Sequence, residues 1–214
     1  MSVRASILAV LTLGQAYGLQ LHAEIEARTA RPDQINVGQI YSTLARLKAS
    51  GLVDSPATTA DGLPLYQLTP DGRDEAELWL ASAGPASAAG FVDMVQHVLL
   101  AASLPGRSPS ALCAAYRAAW AAVDARPSSS APSAGSPAAP TPAAAPPAAA
   151  SPAALTASAA PATASPAALA ASADRLVAAA ALAWLDELEA QPPAPSPLGS
   201  VRPRRGRRPA ALSV

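Results

Sequence analysis

The sequence predicts a mainly α-helical protein with one small β element. Apolar residues recur at three- and four-residue steps through most of residues 1–126, a spacing that favours helices. The exception lies near residues 52–68, where two strand-like segments flank a turn. Residues 127–171 are instead dominated by Ala, Pro and Ser, and their prolines block helix propagation. The globular part must therefore be smaller than the full 214 residues.

Three helices are predicted ahead of the β element. The first runs over about residues 3–13, and the second over about residues 19–30, where an approaching proline ends it. Asn36 is the predicted N-cap of the third helix, which continues to Ser50. Gly51 then provides the left-handed residue that commonly follows a helix.

The β element is predicted as a wing followed by a fourth helix. Leu52-Val53 and residues 65–68 form its two strands, around a turn-rich segment at residues 58–62. Thr69 then caps a helix that has proline at its first position and runs to about Ser82. Residues 1–82 are therefore predicted to be one domain.

The third helix has two chemically different faces. Its buried stripe is predicted from apolar residues at helical spacing, which are Val37, Ile40, Leu44 and Leu47. The remaining surface, including the N-cap and the margins, carries polar side chains, which are Asn36, Gln39, Tyr41, Ser42, Thr43, Arg46 and Lys48. Side chains of this kind reach base edges and phosphates when a helix lies in the major groove.

The order of three helices, a two-stranded wing and a further helix is the winged helix-turn-helix plan. The sequence resembles the PadR transcriptional regulators in three segments, which are Tyr17-Gly18-Leu19, residues 39–47 with Gly51-Leu52-Val53, and residues 66–72. Residues 183–189 resemble the last helix of that family's C-terminal domain. The resemblance implies a homodimer whose third helices enter successive major grooves of a pseudo-palindromic operator, usually to repress transcription. It assigns DNA contacts to Gln39, Tyr41, Ser42 and Arg46, although Tyr41 could instead pack against the wing.

The predicted DNA-binding domain is net acidic. Residues 1–80 contain six basic and nine acidic side chains, and the wing segment 54–65 contains no basic residue. A predicted disordered tail, residues 191–214, could compensate, because its arginines could neutralise phosphates and lie in a minor groove. These are Arg202, Arg204, Arg205, Arg207 and Arg208, in a string that loosely resembles an AT-hook. A solubilising tail explains the same composition equally well.

Two further segments are predicted to form a C-terminal helical dimerisation region. Residues 88–126 and 172–190 carry amphipathic helices whose apolar faces one small bundle cannot bury. Residues 127–171 are predicted to be a disordered insertion that loops out between them. Such a loop is tolerable because each doubling of its length costs only about 0.6 kcal/mol in closure entropy.

Four aromatic residues in and before these helices could line a pocket for a small aromatic effector, although aromatic residues at helical spacing more often belong to a core. They are Trp79, Tyr116, Trp120 and Trp184. His22, His97 and Cys113 form no metal-ligand or catalytic pattern, and no phosphate-binding glycine loop is present. The sequence therefore predicts neither an enzyme, nor a cofactor, nor a metal site.

The predicted partners are double-stranded DNA and a second copy of the chain, and no membrane. No apolar run approaches the roughly 20 residues of a membrane span, so we expect a soluble cytoplasmic protein. The acidic N-terminal domain leaves one alternative, a protein-interaction adaptor that has a winged helix but little or no DNA binding. Salt dependence distinguishes the two, because DNA binding weakens steeply as salt displaces the protein from phosphates.

Overall fold

The computed structural model describes residues 2–30, 35–87, 90–125 and 165–199. Within them lie seven helices and one two-stranded antiparallel sheet. In chain order the elements are α1 Val3–Leu11, α2 Gly18–Thr29, α3 Val37–Ala49, β1 Val53–Thr58, β2 Pro64–Leu68, α4 Pro70–Ala81, α5 Phe91–Ala102, α6 Ser110–Asp124 and α7 Pro166–Ala190. The predicted class, mainly α with a small β wing, is confirmed.

The core of the winged helix lies between α1, α2, α3 and α4. Ile7 of α1, Leu21 of α2, and Ile40 and Leu44 of α3 are completely buried. α1 contributes almost its whole surface to this core, since every residue except Arg4 is buried. The arrangement covers one side of α3 and leaves the opposite side in solvent.

Both ends of α3 follow local rules. The side-chain oxygen of Asn36 accepts a hydrogen bond from the Gly38 N–H at 2.7 Å, which confirms the predicted N-cap. Gly51 has φ +73°, a left-handed conformation that side chains other than glycine's rarely adopt. These two residues mark the beginning and the end of α3.

The wing is longer than predicted and is joined by a third short segment. β1 extends to Thr58, and its register with β2 is irregular between Asp54 and Ala57, on either side of a proline that lacks an N–H donor. Ala16, between α1 and α2, forms an isolated antiparallel bridge with Tyr66. This bridge ties the base of the wing to the start of α2.

The α4 helix packs close to the strand that begins the wing. Thr69 accepts a hydrogen bond from the Gly72 N–H at 3.1 Å, as predicted for an N-cap. A Cβ atom on Gly72 would lie 1.9 Å from the Leu52 carbonyl oxygen, so only glycine permits this approach. The predicted start of α4 is confirmed.

The last helix begins earlier than predicted. α7 starts at Pro166, with Ser165 as its N-cap, so the predicted boundary near Ser172 was wrong. The Ala-rich residues after Pro166 form helix readily because alanine has the highest helix propensity. The remainder of the predicted insertion, residues 127–164, lies outside the described residues, as do residues 200–214.

α7 packs on α6 through one face and exposes the other. Its buried residues are Ala178, Ala181, Leu185 and Leu188. By length and composition alone α7 could also cross a membrane, with a mean hydropathy of 1.4 over its most apolar stretch. The expectation that no apolar run approaches the length of a membrane span needs correction. The many alanines of α7 keep its mean hydropathy high, although charged residues interrupt the helix. Its packing against α6 is also typical of a helix in a folded domain.

The segment after α7 departs from the predicted disordered tail. Residues 191–199, which we call the strap, leave α7 and run along the ends of α5 and α2. Ser196 donates its N–H to the Ser103 carbonyl at 3.0 Å, and Leu198 packs against the core. The prediction was wrong for these residues because their partners are distant in the sequence.

Candidate nucleic-acid interface

The exposed face of α3 carries most of the predicted contact residues. Gln39, Ser42, Arg46 and Lys48 are all exposed on it, and Asn36 is exposed at its N-cap. Because the opposite face is anchored by completely buried side chains, the orientation of these polar groups is set by the core. Their direct contact with DNA remains a prediction.

Arg46 is held along the helix without a carboxylate partner. Its Nε donates to the Ser42 carbonyl at 3.2 Å, and a terminal nitrogen donates to Oγ1 of Thr43 at 3.1 Å. Among the described residues, neither Arg46 nor Lys48 forms an ion pair, whereas Arg4 pairs with Glu75. The positive charge on this face is therefore available to an external anion.

Thr43 does not belong to the exposed face. Only 5% of its surface is accessible, and its hydroxyl oxygen accepts the hydrogen bond from Arg46. Its predicted place on the exposed polar surface is wrong, because Thr43 sits one turn from Ile40 at the edge of the buried stripe. What it does is orient the Arg46 guanidinium.

Tyr41 packs over the start of α2. A Cβ atom on Gly18 would lie 2.6 Å from the Tyr41 ring, so the close approach depends on glycine. Burial, and then the proximity of Tyr41, raise the pKa of both Tyr17 and Tyr66. Tyr41 thus joins α2, α3 and the wing, and with 39% of its surface exposed it still faces solvent.

The sequence analysis missed Arg4 as part of this surface. A cleft of about 430 Å³ separates the beginning of α1 from α3, and Arg4, Gln39 and Arg46 contribute to its walls. The cleft therefore places two guanidinium groups on either side of one concave surface. The sequence around Arg4 gave no signal for this, because its proximity to α3 is a tertiary feature.

A second cavity lies where the winged helix meets the C-terminal helices. It has a volume of about 310 Å³, and its walls include Trp79 of α4, His97 of α5 and Tyr116 of α6. The His97 ring stacks on Trp79 with centroids 3.8 Å apart, and its Nδ1 lies 2.9 Å from the Tyr116 hydroxyl. Burial lowers the pKa of His97 to about 4, so the ring is neutral at pH 7.

Only two of the four predicted pocket residues line this cavity. Trp79 and Tyr116 do, whereas Trp120 is completely buried and donates its Nε1–H to the Met94 sulfur at 2.9 Å. Trp184 is partly buried on α7 and packs against the core. Trp120 and Trp184 therefore do not share a cavity with Trp79 and Tyr116 within one chain, because helical spacing shows which face is apolar but not which neighbour covers it.

The remaining candidate residues are structurally satisfied. His22 has its Nε2 2.6 Å from the Ile35 carbonyl oxygen. Cys113 is a free, buried thiol whose pKa is raised, chiefly by burial, which disfavours the reactive thiolate. Among the described residues, no group of three or more His, Cys, Asp or Glu side chains could hold a metal ion.

Comparisons with known proteins give one family match and two similar solved structures. Two solved structures match the chain. One is a transcriptional regulator from Clostridium thermocellum, with 28% identity over 36% of this chain and 74% of that chain and a TM-score of 0.33. The other is Bacillus subtilis PadR in complex with operator DNA, with 17% identity over 86% of this chain and 96% of that chain and a TM-score of 0.36. No curated protein matches the chain. Residues 7–78 match the model of the transcriptional regulator PadR-like family. These residues are thus similar to that family, and the structure gives them the helix order and two-stranded wing of a winged helix-turn-helix.

Proposed function

We propose that this protein is a DNA-binding transcriptional regulator that acts as a homodimeric repressor on a pseudo-palindromic operator. The observation that carries the proposal is the exposed face of α3, where Gln39, Ser42 and Arg46 project from a helix whose other face is locked into the core. DNA as the partner implies a cytoplasmic location. The matched family is one of regulators, in keeping with a role other than catalysis.

The three side chains offer complementary chemistry to a major groove. An arginine donates two parallel hydrogen bonds to O6 and N7 of guanine, or to a phosphate. Glutamine pairs in the same manner with N6 and N7 of adenine, and serine hydrogen-bonds either base. Because no described carboxylate pairs with Arg46, its charge can attract a DNA phosphate.

The homodimer is supported by a second apolar stripe on α7. Leu169 and Leu176 are seven residues apart, on one side of the helix, and their exposed fractions are 60% and 71%. Exposed Ala173, Ala180 and Ala183 continue the stripe. A matching helix from a second copy would remove this apolar surface from water and would pair two winged helices.

The cavity at the Trp79–His97 stack supports a small aromatic effector. It joins α4 of the winged helix to α5 and α6, so a ligand bound there would change how the two parts pack. In a dimer that change would alter the separation of the two α3 helices and release the operator. Trp79 fluorescence offers a direct readout, and Trp79→Phe should remove any ligand-dependent change.

The function is tested by fluorescence anisotropy with labelled DNA from upstream of the gene, a scrambled competitor and a salt series. Arg46→Ala should weaken specific binding about 5- to 150-fold per half-site, the equivalent of the roughly 1–3 kcal/mol that a bidentate base contact contributes. Arg73→Ala is the matched control, since it removes the same charge from an exposed position on α4. Equal effects of the two variants would contradict base readout by α3.

The acidic surface favours one second candidate, an adaptor that binds protein. The wing carries Asp54 and Asp61 and no basic residue, so it adds repulsion near a phosphate backbone. An adaptor would show no salt-dependent DNA binding in the same experiment. That result would exclude the regulator.

A further inference from the structure

The first part of the strap is a stiff connection that starts at α7. The N–H of Gln191 bonds to the Glu187 carbonyl at 2.9 Å, so the strap continues directly from the last turn of that helix. Residues 192–195 then contain three prolines, which hold φ near −65° and favour an extended backbone. They are Pro192, Pro193 and Pro195. A segment of this composition keeps its two ends at a nearly constant distance.

The second part of the strap, residues 196–199, is fastened to α2 and to the end of α5. One terminal nitrogen of Arg28 donates to the carbonyls of Ser196 and Pro197, both at 3.0 Å. The other donates to the Ser103 carbonyl at 2.9 Å, and the same carbonyl accepts the Ser196 N–H at 3.0 Å. Arg28 therefore joins three segments that are distant in the sequence, which are α2, the end of α5 and the strap.

This attachment is largely buried and its charge is compensated. Arg28 is only 7% exposed, and it pairs with Glu24, one turn earlier in α2, at 2.8 Å. The other Glu24 oxygen accepts the Gly199 N–H at 2.7 Å, and Gln20 donates to the Gly199 carbonyl at 2.6 Å. Hydrogen bonds that involve a charged group are stronger than neutral ones, so this end of the strap is held firmly on α2.

A junction between α4, α5 and α6 contains the cavity described above. Trp79, His97 and Tyr116 contribute to its walls, one from each helix. Side chains that line a cavity have packing partners on one side only, so this junction resists a change of angle less than a filled one would. The strap is a separate connection between the winged helix and the C-terminal helices, and it begins at α7 itself.

We propose that the strap fixes α7 relative to α2 and α3, with Arg28 as the positioning residue, and so sets the separation at which the two α3 helices of a dimer meet DNA. The inference rests on the proposed function, which takes α7 as the dimer helix and α3 as the reading helix. It goes beyond that function because it names the element that connects the two. From α2 the position passes to α3, since Tyr41 packs against the start of α2 at Gly18.

Binding to a pseudo-palindromic operator requires a fixed separation of this kind. Dimers of helix-turn-helix proteins contact half-sites whose centres lie about 34–36 Å apart, one helical turn of DNA, or a multiple of it. A change of two base pairs moves one half-site by about 7 Å and turns it by about 70° around the DNA axis. A dimer with rigidly held winged helices then loses the base contacts of one α3.

The first test measures the distance between α3 and α7 in the full chain by pulsed electron paramagnetic resonance. Spin labels are placed at two exposed positions through Lys48→Cys and Glu187→Cys. Cys113→Ala removes the natural cysteine. Labelled chains are diluted with unlabelled ones, so that each measured distance lies within one chain whether or not the protein is a dimer.

The decisive variant lengthens the strap without removing its hydrogen bonds. Eight Gly and Ser residues inserted after Ala194 form a flexible coil with an r.m.s. length of about 14–17 Å. With this slack, the distribution of α3–α7 distances should become at least about twice as broad. The same insertion after Gly62, at the tip of the wing, is the matched control and should leave the distribution unchanged.

The second test measures how strongly unlabelled chains prefer one half-site spacing. The operator found upstream of the gene is altered so that its half-sites move apart or together in steps of one base pair. The wild-type chain should lose about 5- to 150-fold in affinity two base pairs from the best spacing, the equivalent of one bidentate base contact. After the insertion at Ala194, each winged helix can adjust, and the loss should be at least about threefold smaller.

Binding to a single half-site separates positioning from stability. The insertion should leave this affinity unchanged, whereas a chain that is merely destabilised would bind every DNA less well. Arg28→Met, which releases the strap carbonyls, should relax the spacing preference in the same way as the insertion. If Arg28→Met does not fold, the insertion alone decides.

The outcomes distinguish this inference from the proposed function. A broader distance distribution together with a relaxed spacing preference supports the inference. If the insertion leaves the distances as narrowly distributed as in the wild type, the inference is wrong and the regulator stands. If the distances broaden but the spacing preference does not change, the strap does not set the separation of the α3 helices, and the inference is again wrong. If the wild-type chain binds no DNA, the proposed function fails and the inference fails with it.

Discussion

The winged helix and the C-terminal helices differ in how much apolar surface they leave exposed to solvent. In the winged helix, α1 is buried on nearly all sides and the exposed face of α3 is polar. In the C-terminal region, α7 buries one face on α6 and leaves Leu169 and Leu176 in solvent. The winged helix thus leaves only scattered apolar side chains such as Leu78 exposed, whereas α7 presents an apolar stripe that a partner would cover. The following predictions test that contrast, from the largest expected effect to the smallest.

The largest effect is expected from a charge placed on the exposed stripe of α7. Leu176→Lys should raise the dissociation constant of the proposed dimer by about a hundred- to ten-thousandfold. Burying one leucine contributes about 1.5–3 kcal/mol, and a two-fold interface contains it twice. Sedimentation equilibrium measures the change.

The matched control is Leu78→Lys, because Leu78 is 69% exposed on α4 of the winged helix. It should leave the dissociation constant unchanged. A wild-type chain that stays monomeric at high micromolar concentration would remove the contrast between the two regions.

The hydrogen bonds that Arg28 of the winged helix makes with Ser103 and the strap should stabilise the fold. Arg28→Met removes the ion pair with Glu24 and the hydrogen bonds to the carbonyls of Ser103, Ser196 and Pro197, and we expect a loss of about 3–5 kcal/mol in the free energy of unfolding. Urea unfolding measures it. Arg107→Met removes a partly exposed pair with Glu77 and should cost at most about 1 kcal/mol. If both substitutions have the same effect, the strap contributes nothing to stability.

The buried His97, stacked on Trp79, should make the free energy of unfolding depend on pH. The pKa of His97 is about 4 in the fold, against an ordinary value of 6.5, so between these limits the unfolded chain binds a proton that the folded chain does not. Stability should therefore fall as pH drops from 6.5 to 4, by on the order of 3 kcal/mol. His97→Phe removes this dependence, which urea unfolding at pH 7.5, 6 and 5 would reveal. An unchanged pH slope in the variant would contradict a buried neutral His97.

The smallest effect concerns the N-cap of α3. Asn36→Ala leaves the Gly38 N–H without its acceptor and should cost about 1 kcal/mol in unfolding free energy. Asn36→Ser restores an acceptor and should recover most of the loss. Asn36 is also a predicted DNA contact. If the DNA-binding free energy of Asn36→Ser falls by more than its unfolding free energy, Asn36 contacts DNA directly.

Features with a local cause were predictable. The two ends of α3 follow from Asn36 and Gly51, and the start of α4 follows from Thr69 and its proline. The polar face of α3 was predictable as a set, because helical spacing separates it from the buried stripe. Thr43 was misplaced because a residue at the margin of that stripe is buried or exposed according to what packs beside it.

Features with distant partners were not predictable. The strap has a composition typical of disorder, yet it is ordered by Arg28, which lies more than 160 residues earlier in the chain. Trp120 and Trp79 occur at similar helical spacing, but one fills the core beside Met94 and the other lines a cavity. In both cases the deciding neighbour comes from another element.

The sequence by itself determined the order of the elements, the caps of the helices and the polar surface of α3, because backbone capping and helical periodicity act over a few residues. Only the tertiary structure decided that Thr43 orients Arg46, that His97 is buried against Trp79, and that the strap ends beside α2. The physical reason is that burial and hydrogen-bond satisfaction depend on groups brought together from distant parts of the chain.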